Sequence, residues 1–218
     1  MPRHIDVQQV VARVESVRKR VRELTERPVA LVAVTKSFDV DAAAAAAGAG
    51  CEAIGENYAQ ELLAKAPDLP PGMPVHFIGR LQSNKVRSLM GLVDVWETVD
   101  RPSLAAEIGR RAGVTPARVL LQVNTTGEQS KSGCEPLALG GLLEASVAAG
   151  LSVEGLMTIG PTGASAEQCR ESFRTLRRLA DEHGLVHCSM GMSDDWETAV
   201  EEGSTIIRLG SALFGSRT

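Results

Sequence analysis

Between Ile5 and Leu24 the apolar residues Ile5, Val7, Val10, Val11, Val14, Val17, Val21 and Leu24 recur mostly at steps of three and four. That is the spacing of one helix face, and Lys and Arg fill the other, so the segment predicts an amphipathic helix ending near Pro28. Beyond it the rhythm changes. Short β-branched runs occur at Val29 to Thr35, Cys51 to Gly55, Val75 to Gly79, Val93 to Val99, Ala117 to Asn124, Val153 to Ile159, Leu185 to Met190 and Thr205 to Leu209. They alternate with helical patterns such as Asp41 to Gly48, Tyr58 to Ala66, Ser103 to Ala112, Leu137 to Ala149 and Ala166 to His183. Several runs are nearly continuous in Val, Ile and Leu, as parallel strands are when both faces are covered.

Eight such steps predict an α/β fold, a single (β/α)8 TIM-type barrel with an extra N-terminal helix. The expected division is one domain over residues 1–218, with the helix in 1–27 and the barrel in 28–218. An open doubly wound sheet is the competing architecture. Its dinucleotide-binding version has no support, because no Gly-x-Gly-x-x-Gly opens a helix after the first strand. The Ala-rich DAAAAAAGAG reads as a helix with a glycine stop.

Composition narrows the partners. The formal net charge is -4, without long runs of one sign, and aromatic residues make up 3% of the chain, which leaves neither an electrostatic footprint nor stacking platforms for nucleic acid. No run approaches the roughly 20 apolar residues of a membrane helix, and the start lacks an apolar secretory core. Cys51, Cys134, Cys169 and Cys188 lie far apart with no Cys-x-x-Cys pair, the usage of reduced thiols, so a cytoplasmic location without disulfides is expected.

In such a barrel the strand C-termini carry the site. VALVAVTK ends a thoroughly apolar strand with Lys36, where packing and nearby cations lower an amine's pKa from about 10.4 and leave neutral amine to attack a carbonyl. HCSMGMSDD and RLGSALFG place small residues, hydroxyls and backbone N–H groups after strands seven and eight, the ingredients of a phosphate cradle. Closing the barrel sets strand eight beside strand one, so the lysine and the cradle become neighbours. A carbonyl ligand that carries a phosphate fits both. Arg208, two residues before Gly210, shares the interior side by strand alternation.

The stretches VAVTK at Val32 to Lys36, GENYAQE at Gly55 to Glu61, HFIGRLQSNK at His76 to Lys85, KSG at Lys131 to Gly133, GLMTI at Gly155 to Ile159, SMGMSDD at Ser189 to Asp195 and GSTIIRLGSALFG at Gly203 to Gly215 resemble, in order and over nearly the whole chain, the pyridoxal phosphate homeostasis protein family. This is also called the alanine racemase N-terminal-domain-like family. The resemblance implies a monomeric barrel that holds pyridoxal 5′-phosphate (PLP) as an imine on Lys36. It implies phosphate contacts from Ser189, Gly191, Gly210 and Ser211, and Arg208 at the pyridine nitrogen. Asn57, Met190 and Ser193 match positions lining the same pocket. An arginine there weakens the ring as an electron sink, which points away from transaminase-like chemistry. The implied role is storage, protection and delivery of PLP, with free amines or amino acids and PLP-dependent apoenzymes as partners and no established turnover. SFDV after Lys36 departs from the family, where a proline often follows, and puts the shape of that loop in doubt.

Plainer readings stand beside these. A lysine after a strand is usually a solvated loop residue, and Ser189, Gly191, Gly210 and Ser211 are common turn and cap residues. Arg208 could pair with a core carboxylate such as Glu154. Lys131 could approach Lys36 and depress its pKa, or be a surface charge like Lys85. His183 and His187 have a zinc-like spacing, but a helix end lies between them, so no metal site is expected. Met157, Met190 and Met192 suit core filling. Rival functions are a PLP-dependent amino-acid racemase, a Schiff-base aldolase and a protein-interaction scaffold. Two-base racemisation needs an acid or base opposite the lysine, and Tyr58 is the one tyrosine.

Overall fold

The structure is a computed structural model that describes residues 5–215. Eight parallel strands close in chain order into a barrel: β1 (Ala30–Val34), β2 (Ala53–Glu56), β3 (Val75–Phe77), β4 (Val95–Val99), β5 (Arg118–Gln122), β6 (Ser152–Met157), β7 (His187–Ser189) and β8 (Ile206–Leu209). Preceding them is α1 (Val7–Leu24), and the following helices cover the outside: α2 (Val40–Gly48), α3 (Ala59–Lys65), α4 (Val86–Leu89), α5 (Pro102–Ala112), α6 (Leu139–Ala148), α7 (Ala166–Glu182), α8 (Trp196–Glu201) and α9 (Ser211–Phe214). The ring closes where β1 pairs with β8, Val32 opposite Arg208 and Ala33 opposite Leu209. The (β/α)8 expectation is met, and the open sheet is excluded.

Alternation along the strands builds two cores. Leu31, Ala33, Ile54, Phe77, Trp96, Leu121, Leu156 and Ile207 belong to the large cluster between sheet and helices. Val32, Ala53, Val95, Leu120, Met157 and Ile206 form a separate cluster inside the ring. One step further along the same inward rows the side chains turn polar: Glu97 after Val95, Gln122 after Leu120, Arg208 after Ile206. The interior is therefore apolar in its lower part and polar toward the C-terminal mouth.

The first helix buries Val10, Val14 and Val17. It packs on α2, α8 and α9, over the seam where the ring closes. The run of alanines in α2 buries Ala42, Ala43, Ala45 and Ala46, small side chains that allow close helix approach. At its edges α1 is fixed by Arg13 Nη1 to the Leu213 carbonyl at 2.8 Å, by Arg18 to Glu52 at 2.8 Å, and by Arg20 to Glu197 at 2.7 Å. The last two pairs are well exposed and worth little each. Among the described residues no helix is long and apolar enough to cross a membrane.

Candidate functional site

The site begins at the turn after β1. Thr35 is buried, Lys36 is half-buried in a turn, and Ser37 adopts φ 62, the one non-glycine residue with positive φ among those described. Ser and most other residues avoid this region, so the turn must be held by its surroundings. Val34 lies against the end of β8: a Cβ placed on Gly210 would stand 3.5 Å from both the Cβ and the carbonyl oxygen of Val34. Beyond Gly210 the chain is tied back, because the rings of Phe38 and Phe214 lie 5.1 Å apart. The segment carrying Lys36 and the segment carrying Gly210 and Ser211 are thus in contact on both sides of the seam.

The loops after β7 and β8 are linked as well. Ser193 Oγ accepts the Ala212 N–H at 3.1 Å, joining the first turn of α9 to the β7 loop. Gly191 takes φ 96, and a Cβ there would stand 2.7 Å from the Ala199 side chain, so helix α8 leaves no room for any other residue. Ser211 opens α9, where first-turn N–H groups have no intrahelical acceptor.

Inside the mouth a chain of buried polar groups crosses the barrel. Arg208, 3% exposed, donates from Nη1 to Ser189 Oγ at 2.6 Å and from Nη2 to the Thr158 carbonyl at 2.8 Å. Ser189 Oγ in turn donates to Glu97 Oε2 at 2.5 Å. The second oxygen of Glu97 lies 2.5 Å from His76 Nδ1. Burial works to raise the Glu97 carboxyl, but the hydrogen bond and charge of His76, followed by the charge of Arg208, hold it below the ordinary glutamate value. Burial lowers Arg208 from its ordinary value, against the pull of Glu97 and Asp195; a guanidinium starts high enough to stay protonated.

A second buried cluster lies behind the wall, between the sheet and α3. Lys65 Nζ donates to Glu56 Oε1 at 2.8 Å, to Glu61 Oε1 at 2.9 Å and to the Thr35 carbonyl at 2.8 Å. Thr35 Oγ1 donates to Glu56 Oε1 at 2.7 Å, and the Ser37 N–H donates to Glu61 Oε1. Glu56 Oε2 is buried without a partner among the described residues. Burial accordingly raises the Glu56 carboxyl, the bonds from Lys65 and Thr35 opposing it.

Several sequence expectations change here. The side chain of Met190 packs in the large outer core, its N–H bonds the Ile206 carbonyl and its carbonyl accepts from Ser204, so it does not line the mouth. The hydroxyl of Ser189 is engaged by Arg208 and Glu97, inside the ring. The carboxylate near Arg208 is Glu97, at 3.9 Å; Glu154 is held bidentately by Arg118 at 2.7 and 2.9 Å. Lys131 is tied to Glu128 at 2.8 Å and to the Gly160 carbonyl, a bridge between the β5 and β6 loops. Asn57 lines a cleft of about 920 Å³ that opens over β2 to β4, together with Tyr58, Arg80, Gln82 and Lys85. Asn57 also stands beside the Lys36 turn, because Val34 pairs with Gly55 and each chain runs two residues further to reach Lys36 and Asn57. His76, Glu97 and Lys65 are not singled out by the sequence patterns. The signal available was a charged or ionisable residue inside an apolar strand.

The four cysteines are free thiols, and burial pushes Cys51, Cys134 and Cys188 up to about 11, which makes them poor nucleophiles. Among the described residues no group of three or more His, Cys, Asp or Glu is arranged to hold a metal.

The closed parallel barrel defines the class by its fold, and the sequence matches the family described as alanine racemase, N-terminal domain, over residues 5–218. Two relatives narrow the class. The pyridoxal phosphate homeostasis protein of Aquifex aeolicus (strain VF5) is 46% identical over 178 residues, 77% of this chain and 78% of its own. That of Homo sapiens is 39% identical over 233 residues, 97% of this chain and 82% of its own. The chain belongs to the pyridoxal phosphate homeostasis protein family. Among solved structures, PipY of Synechococcus elongatus PCC7942 with PLP bound superimposes with a TM-score of 0.85 at 34% identity, covering 94% of this chain and 100% of that one. Alanine racemase from Corynebacterium glutamicum aligns with a TM-score of 0.76 at 19% identity, over 98% of this chain and 62% of its own, a likeness of fold alone.

Proposed function

We propose that this chain binds pyridoxal 5′-phosphate covalently through Lys36 and acts in PLP homeostasis, holding, protecting and delivering the cofactor inside the cell, without catalytic turnover of its own. The observation that carries this reading is the meeting of the Lys36 turn with the Gly210–Ser211 segment, through Val34 against Gly210 and Phe38 against Phe214. Support comes from PipY, whose structure at 34% identity is described with PLP bound, and from the name its relatives share.

The residues present fit the group. Gly191 is a turn from which helix α8 excludes a side chain, Ser193 knits that turn to α9, and a buried guanidinium stands in the interior row two residues before Gly210. In this reading Gly191, Ser193, Gly210 and Ser211 hold the phosphate, with backbone N–H groups as donors. Arg208 faces the pyridine nitrogen, and Ser189 contributes by fixing Arg208 rather than by touching phosphate. Asn57, in register beside Lys36, lines the same pocket, and the Met190 side chain gives no ligand contact. When bound, the cofactor supplies an aldehyde that forms a reversible carbon–nitrogen bond with an amine. Lys36 would hold the cofactor through its amine, and a free amine or amino acid, or an acceptor apoenzyme, would compete with Lys36 for it. Ordering Arg208 with Ser189, Thr158 and Glu97 keeps a donor, not a carboxylate, at the ring nitrogen, which suits storage better than stabilising a carbanion.

Racemase and aldolase activity remain rival readings that no observation here favours. Tyr58, the one tyrosine, is 57% exposed in the cleft over β2 to β4. The test is an absorbance spectrum of purified protein given PLP, before and after borohydride, with mass spectrometry of the product. The expected result is a yellow species bleached by borohydride with the added mass on Lys36. A colourless protein, or label on other lysines only, overturns the reading, and sustained alanine racemisation lost in Lys36→Ala replaces it.

A further inference from the structure

A lysine at 8% exposure that bonds two glutamates and a backbone carbonyl calls for a reason, since two apolar residues would fill the same space without desolvating charge. The reason is visible in what the cluster grips. Lys65 holds the carbonyl of Thr35, Glu56 holds the hydroxyl of Thr35, and Glu61 holds the N–H of Ser37. These are the residues on either side of Lys36. Between the two grips the chain makes the turn that puts Ser37 at φ 62, a conformation that local preferences alone do not maintain. Glu61 and Lys65 sit one helical turn apart on α3, so a single rigid element delivers both contacts through the wall of the barrel.

We propose that Lys65, Glu56 and Glu61 form a positioning clamp for Lys36, fixing the backbone on both sides of it from outside the barrel so that its amine is presented in one orientation at the mouth. The inference rests on the Lys36 reading above and adds to it three residues that act through the backbone rather than on the cofactor. The physical logic is preorganisation: a lysine side chain has several rotatable bonds, and fixing the peptide units around it removes the largest source of misplacement.

Lys65→Ala leaves the buried Glu56 without its cation and endangers folding, so the decisive pair is Glu61→Ala and Glu61→Gln. Glu61 is partly exposed, and glutamine keeps an oxygen for the Ser37 N–H. Each variant is first matched to wild type by thermal melting. Two rates are then followed on the full chain: imine formation with added PLP, read by absorbance across pH, and labelling of Lys36 in the apo-protein by formaldehyde with cyanoborohydride, read by mass spectrometry. The expected result is a tenfold or greater slowing of imine formation and a changed Lys36 labelling rate in Glu61→Ala, with Glu61→Gln within threefold of wild type. Folded Glu61→Ala that matches wild type within twofold in both rates overturns the clamp, as does a Glu61→Gln as slow as Glu61→Ala. Wild-type protein that takes up no PLP overturns the functional reading and the clamp with it; wild-type uptake with unaltered Glu61→Ala overturns the clamp alone.

Discussion

Glu97 and Glu56 are both fully buried, on opposite faces of one sheet, and their carboxyls are shifted in opposite directions. Burial is the largest influence on each. Glu97 overcomes it because both oxygens are engaged, one by His76 and the other by Ser189, with Arg208 behind. Glu56 receives Lys65 and Thr35 on a single oxygen and leaves the other bare, so it does not. The contrast extends to what each network holds. The interior one joins side chains on β3, β4, β7 and β8, elements whose backbones are already fixed by pairing, and so only has to select rotamers. The outer one reaches past side chains to main-chain groups of the turn after β1, where backbone bonding is reduced to the Thr35 N–H to the Gly55 carbonyl and the Phe38 N–H to the Thr35 carbonyl, each at 3.1 Å. Strands need their side chains aimed; a loop needs its backbone held.

The largest effect expected from breaking this contrast is on the interior. Glu97→Ala strands Arg208 in the barrel with no carboxylate, and breaking a buried pair in this way costs about 3–5 kcal/mol; the midpoint of urea denaturation measures it. Lys65→Met keeps the apolar stem and removes the cation, leaving Glu56 and the partly exposed Glu61, so the loss falls at the lower end, about 3 kcal/mol. If Lys65→Met proves as costly as Glu97→Ala, the outer cluster is as much a stability element as the inner one.

A smaller effect sharpens the comparison by sign. The folded pKa of Glu97 is depressed, so its stabilising contribution is present above the unfolded value of about 4.3 and is lost as pH falls through the folded value. The folded pKa of Glu56 is raised, so the folded state binds the extra proton and stability falls as pH rises from about 4.3 toward the folded value. A tenfold difference in proton affinity between folded and unfolded chains is worth about 1.4 kcal/mol. Glu97→Gln is expected to flatten the acid limb of a stability-versus-pH curve, and Glu56→Gln to remove a decline on its other side. Curves from the two variants with the same change of slope would erase the distinction.

Much of the barrel is legible in the sequence because buried parallel strands announce themselves as apolar runs, and all eight runs lie within a few residues of the observed strands. The short α4 and α8 escape because four to six residues carry no usable periodicity. Lys36, Gly191, Arg208 and Gly210 can be grouped without a structure, since ring closure brings the ends of β8 and β1 together whatever the side chains. His76 and Glu97 cannot be paired that way, because their meeting depends on the register of β3 against β4, where His76 stands opposite Val95. Met190 illustrates the opposite failure. It sits between Ser189 and Gly191 in a site-like string, yet alternation turns its side chain into the outer core. For Glu61 and Lys65 the four-residue spacing of an ion pair is in plain view, but not that its charges face the sheet instead of water.

The closing pair of strands also has a consequence in time. A chain lengthening at about 5–20 residues per second emerges with Lys36 roughly 9 to 34 seconds before the arginine that ends up opposite Val32. During that interval the glycine turn after β8 does not yet exist, so under the proposed function the nascent Lys36 has no phosphate cradle beside it. Selective loading, as proposed, then waits for the final residues to be translated, and a messenger truncated before them yields a first strand without the strand that closes the ring on it.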